Sequence, residues 1–184
     1  MKIAVLGWGS LLWEGGDEFD KRHGPWSYDG PQLKIEFSRI SRTRQGALTL
    51  VIDEKQGTLT TVAWCLSKRK DLGDATCDLR TREGTTLNYI AQVQIATGNS
   101  ADDPILDWAR SKKIDAVIWT ALTSNFEKDT GQPFSVTAAL TYIKTLTPEG
   151  KAKAAEYIWR APDFVSTPLR IALQAEPWFQ RQHS

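Results

Sequence analysis

Histidine and cysteine are scarce. Among 184 residues there are two His, His23 and His183, and two Cys, Cys65 and Cys77. A structural zinc site takes about four Cys or His ligands. Here it would need a terminal His and both thiols at unsuitable spacings, so no metal is expected, and no other cofactor is implied. A Ser-His or Cys-His nucleophile would depend on His23 alone, in the segment Lys21-Arg22-His23-Gly24-Pro25, which reads as an exposed loop. Acid-base chemistry, if the chain performs any, then rests on carboxylates. Charge of one sign is also missing. Lys plus Arg number 23 and Asp plus Glu 22, so no cationic excess points to nucleic acid or to an anionic membrane. No apolar run approaches the ~18 residues of a membrane span. Residues 2 to 13 faintly imitate a signal peptide, but Gly7, Gly9 and Ser10 interrupt the run and no small-x-small cleavage site follows. Two Cys without a disulfide framework fit a reducing compartment, and the expected location is the cytoplasm.

Tryptophan is abundant instead: eight Trp against four Tyr and six Phe. The length and the apolar and charged fractions fit one globular domain spanning residues 1 to 184. Ile3 to Leu6 reads as a buried strand ending at Gly7. Residues 14 to 32, rich in Gly and Pro, read as a long loop. Leu33 to Ser38 alternates as a strand. Ala47 to Ile52 and Thr58 to Leu66 read as strands joined by a hairpin, with Gly57 supplying a left-handed position. Ser67 is the expected cap of a helix running to about Arg82 and stopped by Gly84. Thr85 to Ala96 alternates again, with Leu87, Tyr89, Ala91, Val93 and Ile95 on one face. Asp102-Asp103-Pro104 opens a helix, Ile114 to Leu122 is a buried strand, and Ser135 to Thr145 and Pro148 to Arg160 read as helices. From Pro162 the tail reads as irregular, with Pro168 and Pro177 discouraging regular structure. The order is not a strict β-α alternation. It predicts an α+β chain with a small mixed, largely antiparallel, barrel-like sheet and flanking helices.

Gly7-Trp8-Gly9-Ser10-Leu11 follows the first strand. As a dinucleotide fingerprint it fails, because Leu12 stands at the third Gly position and no helix follows. As a turn it exposes consecutive backbone N–H groups, with Gly7 and Gly9 permitting left-handed angles and close approach, and could form a nest for a carboxylate. It could equally be a structural turn that packs Trp8 and Leu11 into the core.

Val5-Leu6-Gly7-Trp8-Gly9-Ser10-Leu11 resembles the N-terminal "YGSL/YGSN" signature of the γ-glutamylcyclotransferase-like proteins. Phe37 to Arg44 with Ala47 to Val51, the strand Val62-Ala63-Trp64-Cys65-Leu66, the pair Arg82-Glu83 and the strand carrying Tyr89 follow in the family's order. The resemblance covers residues 3 to 96. Residues 97 to 184 read as a helical elaboration belonging to a separate bacterial branch. Trp8 stands where the family has Tyr, and Ala63 where Gly is common.

The resemblance implies a small mixed β-barrel with surrounding helices. It also implies release of 5-oxoproline from a γ-glutamyl amide or peptide, with no cofactor. Gly7, Trp8, Gly9, Ser10 and Leu11 would hold the substrate's α-carboxylate, and Glu83 would be the catalytic general acid and base. That chemistry suits the residues. Ring closure is intramolecular, and one carboxyl can both take a proton from the amine and return it to the leaving group. Glu83 has a plainer reading as a solvated charge paired with Arg80 or Arg82. One of Arg39, Arg42 and Arg44 would contact the carboxylate, Arg42 being the one carried forward. Tyr89 would bond substrate or fill the barrel. Cys65 and Cys77 read as small buried hydrophobes, and Asn125, Glu127 and Asp129 as a polar loop. Trp64, Trp108 and Trp119 are expected as core filling, Trp159 as a helix end and Trp178 as a pin for the tail. Trp8, Trp13 and Trp26 are expected to wall the site and keep it dry. The alternative is a non-catalytic protein that keeps this fold and binds a small molecule or a partner. The sequence leaves the leaving group and the oligomeric state open.

Overall fold

A computed structural model describes residues 1–98 and 103–179. Asp102 and His183 lie outside the described residues. In chain order the strands are β1 (Ile3–Gly7), β2 (Gln32–Ser41), β3 (Ala47–Ile52), β4 (Thr58–Thr61), β5 (Ala63–Leu66), β6 (Ile90–Gln94) and β7 (Ala116–Thr120). The helices are α1 (Asp17–Asp20), α2 (Leu72–Glu83), α3 (Pro104–Ser111), α4 (Phe126–Thr130), α5 (Val136–Thr145), α6 (Pro148–Arg160) and α7 (Pro168–Gln174). None of the described helices is long and apolar enough to cross a membrane. The chain divides into two compact units, Met1–Leu33 with Thr61–Leu122, and Lys34–Thr60 with Thr123–Ser184.

The first unit is built on a four-stranded sheet of order β5-β1-β7-β6. The apolar run Ile3–Gly7 is central and fully buried, as a strand flanked on both sides must be. It runs antiparallel to β5 and parallel to β7, and β6 is antiparallel to β7. Helix α2 lays Leu72, Ala75 and Leu79 against Ile3, Val5, Cys65, Ile90, Ala116 and Ile118. This is a one-sided stripe at helical spacing, and each large side chain buried there contributes about 1.5–3 kcal/mol. Asp71, not Ser67, caps α2 by accepting from Asp74 N–H. At the other end Gly84 adopts the left-handed conformation expected of a helix stop (φ 61°). The outer edge of β5 is covered by the 23–31 segment, through Gly24, Ser27 and Gly30 N–H to Leu66, Trp64 and Val62 carbonyls at 2.8, 2.8 and 3.0 Å. That cover removes an unpaired strand edge. A Cβ on Gly30 would sit 2.3 Å from the Val62 carbonyl oxygen, so only glycine allows the approach.

The second unit is built on a three-stranded sheet of order β3-β2-β4. Its first strand is bulged between Glu36 and Arg39. Helix α6 packs on β3, and α5 on α6 and α7. Phe126 stacks edge-on with Phe134 and Tyr142, and Phe37 with Tyr157. The buried Arg170 guanidinium donates to the Ala161, Pro162 and Val165 carbonyls at 2.6–2.8 Å and so fixes the loop before α7.

Several expectations are corrected. The barrel is absent: the described strands form two separate open sheets. β3 and β4 are not a hairpin, because β2 lies between them. Gly57 is not left-handed. It is glycine because a Cβ would meet Asp53 O at 2.4 Å and the Lys34 carbonyl carbon at 2.5 Å. The run Thr58 to Leu66 breaks at Val62 into strands of different sheets. Leu87 to Tyr89 is a 3-10 turn, leaving β6 to begin at Ile90. The tail is not irregular. Pro168 opens α7, where its missing N–H costs nothing, and Thr167 caps the helix. His23 is not exposed: its side chain is 10% accessible, with the ring between Phe19 and Trp26.

Candidate functional site

Gly7 ends β1, opposite Ala63. Its role is close packing, since a Cβ would sit 3.0 Å from Leu12 Cδ2 and from two carbons of the Trp26 indole. Neither Gly7 nor Gly9 is left-handed, contrary to expectation. Trp8 and Leu11 are buried, so these residues can meet a ligand only through their backbone. Ser10–Leu12 forms one 3-10 turn. Within it Leu12 N–H donates to Gly9 O at 3.0 Å, and Trp13 and Glu14 N–H to Ser10 O at 3.2 and 2.8 Å.

Arg82, in the last turn of α2, holds this turn. Its Nη2 donates to Ser10 O at 3.1 Å and to Glu14 O at 2.6 Å. Its Nη1 lies 3.6 Å from Glu83 Oε1. The two side chains are 12% and 18% exposed. One guanidinium therefore bridges the glycine turn and the Glu83 carboxylate. Glu83 alone would oppose the carbonyl end of the α2 dipole, and Arg82 offsets that. Gly16 leaves room for the clamp: a Cβ there would lie 2.8 Å from Arg82 Cδ. Because a trans peptide points N–H and C=O in opposite directions, the Ser10 carbonyl turned to Arg82 sends Leu11 N–H the other way. Ser10 and Leu11 N–H are the first donors of a one-turn helix, with no carbonyl inside the turn to receive them.

The other expected site residues are placed differently. Tyr89 is 47% exposed on the 3-10 turn before β6, so it fills no barrel. Arg42 belongs to the second unit, on an exposed 3-10 turn after β2. Within that unit Arg39 donates to Thr123 O at 2.7 Å, and Arg44 lies 5.0 Å above the Tyr157 ring. Asn125 is not part of a loose loop: its side-chain amide pairs with both Ile40 backbone groups, and the residue stands at the N-cap position of α4. Burial raises the Cys65 thiol far above its ordinary value, while Cys77 is exposed.

The tryptophans also divide differently. Trp26 packs on the core cluster. Trp64 and Trp108 do not fill the core. They are half-buried, meet edge-on at 5.1 Å, and donate to Asp29 Oδ1 and Asp29 O at 2.8 and 2.9 Å. Lys112 pairs with the other Asp29 oxygen at 2.5 Å. A cation, Arg82, stands beside Glu83.

Two residues carry more than their sequence setting suggested. The Arg82 grip on the turn was signalled only by Gly15-Gly16, which leave space for a long side chain. Glu36 was hidden by alternation, which places it outward. It is 1% exposed, because the bulge and α7 cover that face of β2.

No family model matches the chain, and no curated protein matches its sequence. The resemblance to γ-glutamylcyclotransferase-like proteins is therefore withdrawn, and the open sheets remove the barrel it implied. The cyclotransferase activity, amide cleavage with release of 5-oxoproline, falls with it. Among the described residues no group of three or more His, Cys, Asp or Glu could hold a metal ion.

Proposed function

We propose that the first unit is a binding module for a small molecule with an amino-acid-type head group, taken at the turn Gly7-Trp8-Gly9-Ser10-Leu11. The ligand carboxylate meets the Ser10 N–H group, and its ammonium meets Glu83. A γ-glutamyl compound carries such a head. The observation that carries the reading is the single guanidinium, Arg82, joining the turn carbonyls to the Glu83 carboxylate. A site already holding a balanced pair of opposite charges suits a zwitterion better than a simple ion, since neither charge of the ligand is left uncompensated. The two free thiols, one exposed, fit a reducing setting, and the reading places the protein in the cytoplasm.

Calorimetric titration tests this with L-glutamate, L-glutamine and γ-glutamylglycine, beside their N-acetyl and carboxamide derivatives. Binding is expected only when both head groups are present. Glu83→Gln should weaken it at least about tenfold, or ~1.4 kcal/mol. Absence of binding throughout the panel, or unchanged affinity in Glu83→Gln, overturns the proposal.

A further inference from the structure

The second unit contains a titratable group that the site above does not use. Glu36 is buried on β2. Its Oε1 accepts Phe37 N–H at 2.7 Å, and its Oε2 faces Leu169 N–H at 3.5 Å, in the first turn of α7. The Thr167 hydroxyl, the cap of α7, also bonds this carboxyl. One side chain thus joins the middle of β2 to the start of a helix more than 130 residues later. A second acid shares its face. Asp53 N–H donates to Lys34 O at 2.9 Å, which sets Asp53 diagonal to Glu36 in the sheet, and Asp53 Oδ2 accepts from Ser38 at 2.7 Å.

We propose that the Glu36 carboxyl is a proton-operated latch between β2 and α7. With the proton on, a neutral acid sits in an apolar setting and no buried charge opposes closure. With the proton off, a buried anion faces the Asp53 carboxylate, and α7 loosens to let water reach it.

Among the described residues no ion pair reaches the Glu36 carboxyl. Lys34 is turned to Glu54, at 3.8 Å. The Arg170 guanidinium on α7 is directed at three loop carbonyls. From α6 comes Tyr157, edge-on to the neighbouring Phe37 and beneath Arg44. Burial raises Glu36 above the ordinary carboxylate range despite the Thr167, Phe37 and Leu169 donors, and Asp53 adds to the rise. A carboxyl raised in the closed state and ordinary in the open state binds more protons when closed. The closed state is therefore favoured in acid and loses ground as pH rises towards the raised value, with no further change above it.

Hydrogen exchange on the full chain tests the latch, reading the Ile171 amide, which bonds Thr167 O at 3.0 Å inside α7. After correction for intrinsic exchange, its protection should fall from pH 4.5 upward, by at most about tenfold per pH unit, and then level off. Glu36→Gln should flatten the profile. Asp53→Asn, which keeps the carboxyl and removes its neighbour's charge, should bring the plateau to lower pH and shrink the total loss. Protection independent of pH in the native chain, or the same decline in Glu36→Gln, overturns the proposal. If Glu36→Gln fails to fold, an unchanged profile in Asp53→Asn overturns it alone. Neither result bears on the glycine-turn site.

Discussion

Each unit holds a shielded glutamate, and the two are held in opposite ways. Glu83 lies at a helix end, partly open to water, with the Arg82 cation 3.6 Å away. Glu36 lies under a helix with another carboxylate for a neighbour. The Arg82 cation offsets the Glu83 charge at the helix end. A second acid in an apolar setting favours the neutral form and makes the group a store for one proton. Two glutamates of the same residue type therefore differ through their settings, a cation at a helix end for Glu83 and deep burial for Glu36, to which Asp53 adds.

The strongest way to break the contrast is Arg82→Ala. It removes donors from Ser10 and Glu14 carbonyls and strips Glu83 of its counter-charge. Because the pair keeps some solvent contact, we expect a loss of about 2–4 kcal/mol in urea denaturation, with ligand binding lost as well. Glu83→Gln should cost less than ~1 kcal/mol of stability, since Arg82 retains its carbonyl partners. If the two variants are equally unstable, the turn is not held by Arg82.

Acid and alkali should separate the units. Burial works against ionisation of Asp78, but Arg69 and Arg22 donate to it and hold its carboxyl below the ordinary range. A depressed carboxyl gives stability that is present above its ordinary value and lost as pH falls through the depressed one. The first unit should then loosen in acid, while Glu36 makes the second loosen with rising pH. Asp78→Asn should cost about 1 kcal/mol at neutral pH, because both arginines are more than a third exposed, and should remove the acid limb. Glu36→Gln should leave acid stability unchanged and exceed the native chain in alkali. Thermal melts between pH 3 and 9 read both. The smallest effect is expected from Gly16→Ala, about 0.5–1 kcal/mol, as its Cβ pushes Arg82 aside.

Much of the local structure was legible in the sequence. The strands Ile3–Gly7 and Ala47–Ile52, the helix Pro148–Arg160 and the stop at Gly84 follow from apolar runs, caps and a left-handed glycine, all local signals. What failed was non-local. Nothing near Val62 says that β4 and β5 join different sheets, and nothing near residues 47–61 says that an earlier strand separates β3 from β4. Pro168 reads locally as a breaker, but its position one residue past Thr167 makes it a helix starter. At the site, Glu83 and the glycine turn stood out through their residue types. Arg82 is legible as a partner of Glu83 but not as the holder of the turn, because its partners there are carbonyl oxygens that every residue carries. Glu36 did not stand out, because a bulge and a distant helix buried a side chain that alternation places outward.

The central position of β1 has a consequence for the growing chain. β5 reaches it after about 60 residues, but β7, its parallel partner, lies roughly a hundred residues downstream. At the usual rate of synthesis, one edge of the Ile3–Gly7 run stays unpaired for about 5–20 s. For that interval a nascent chain offers neighbouring nascent chains an apolar template, so polysome density sets the risk of misassembly before the fold has formed.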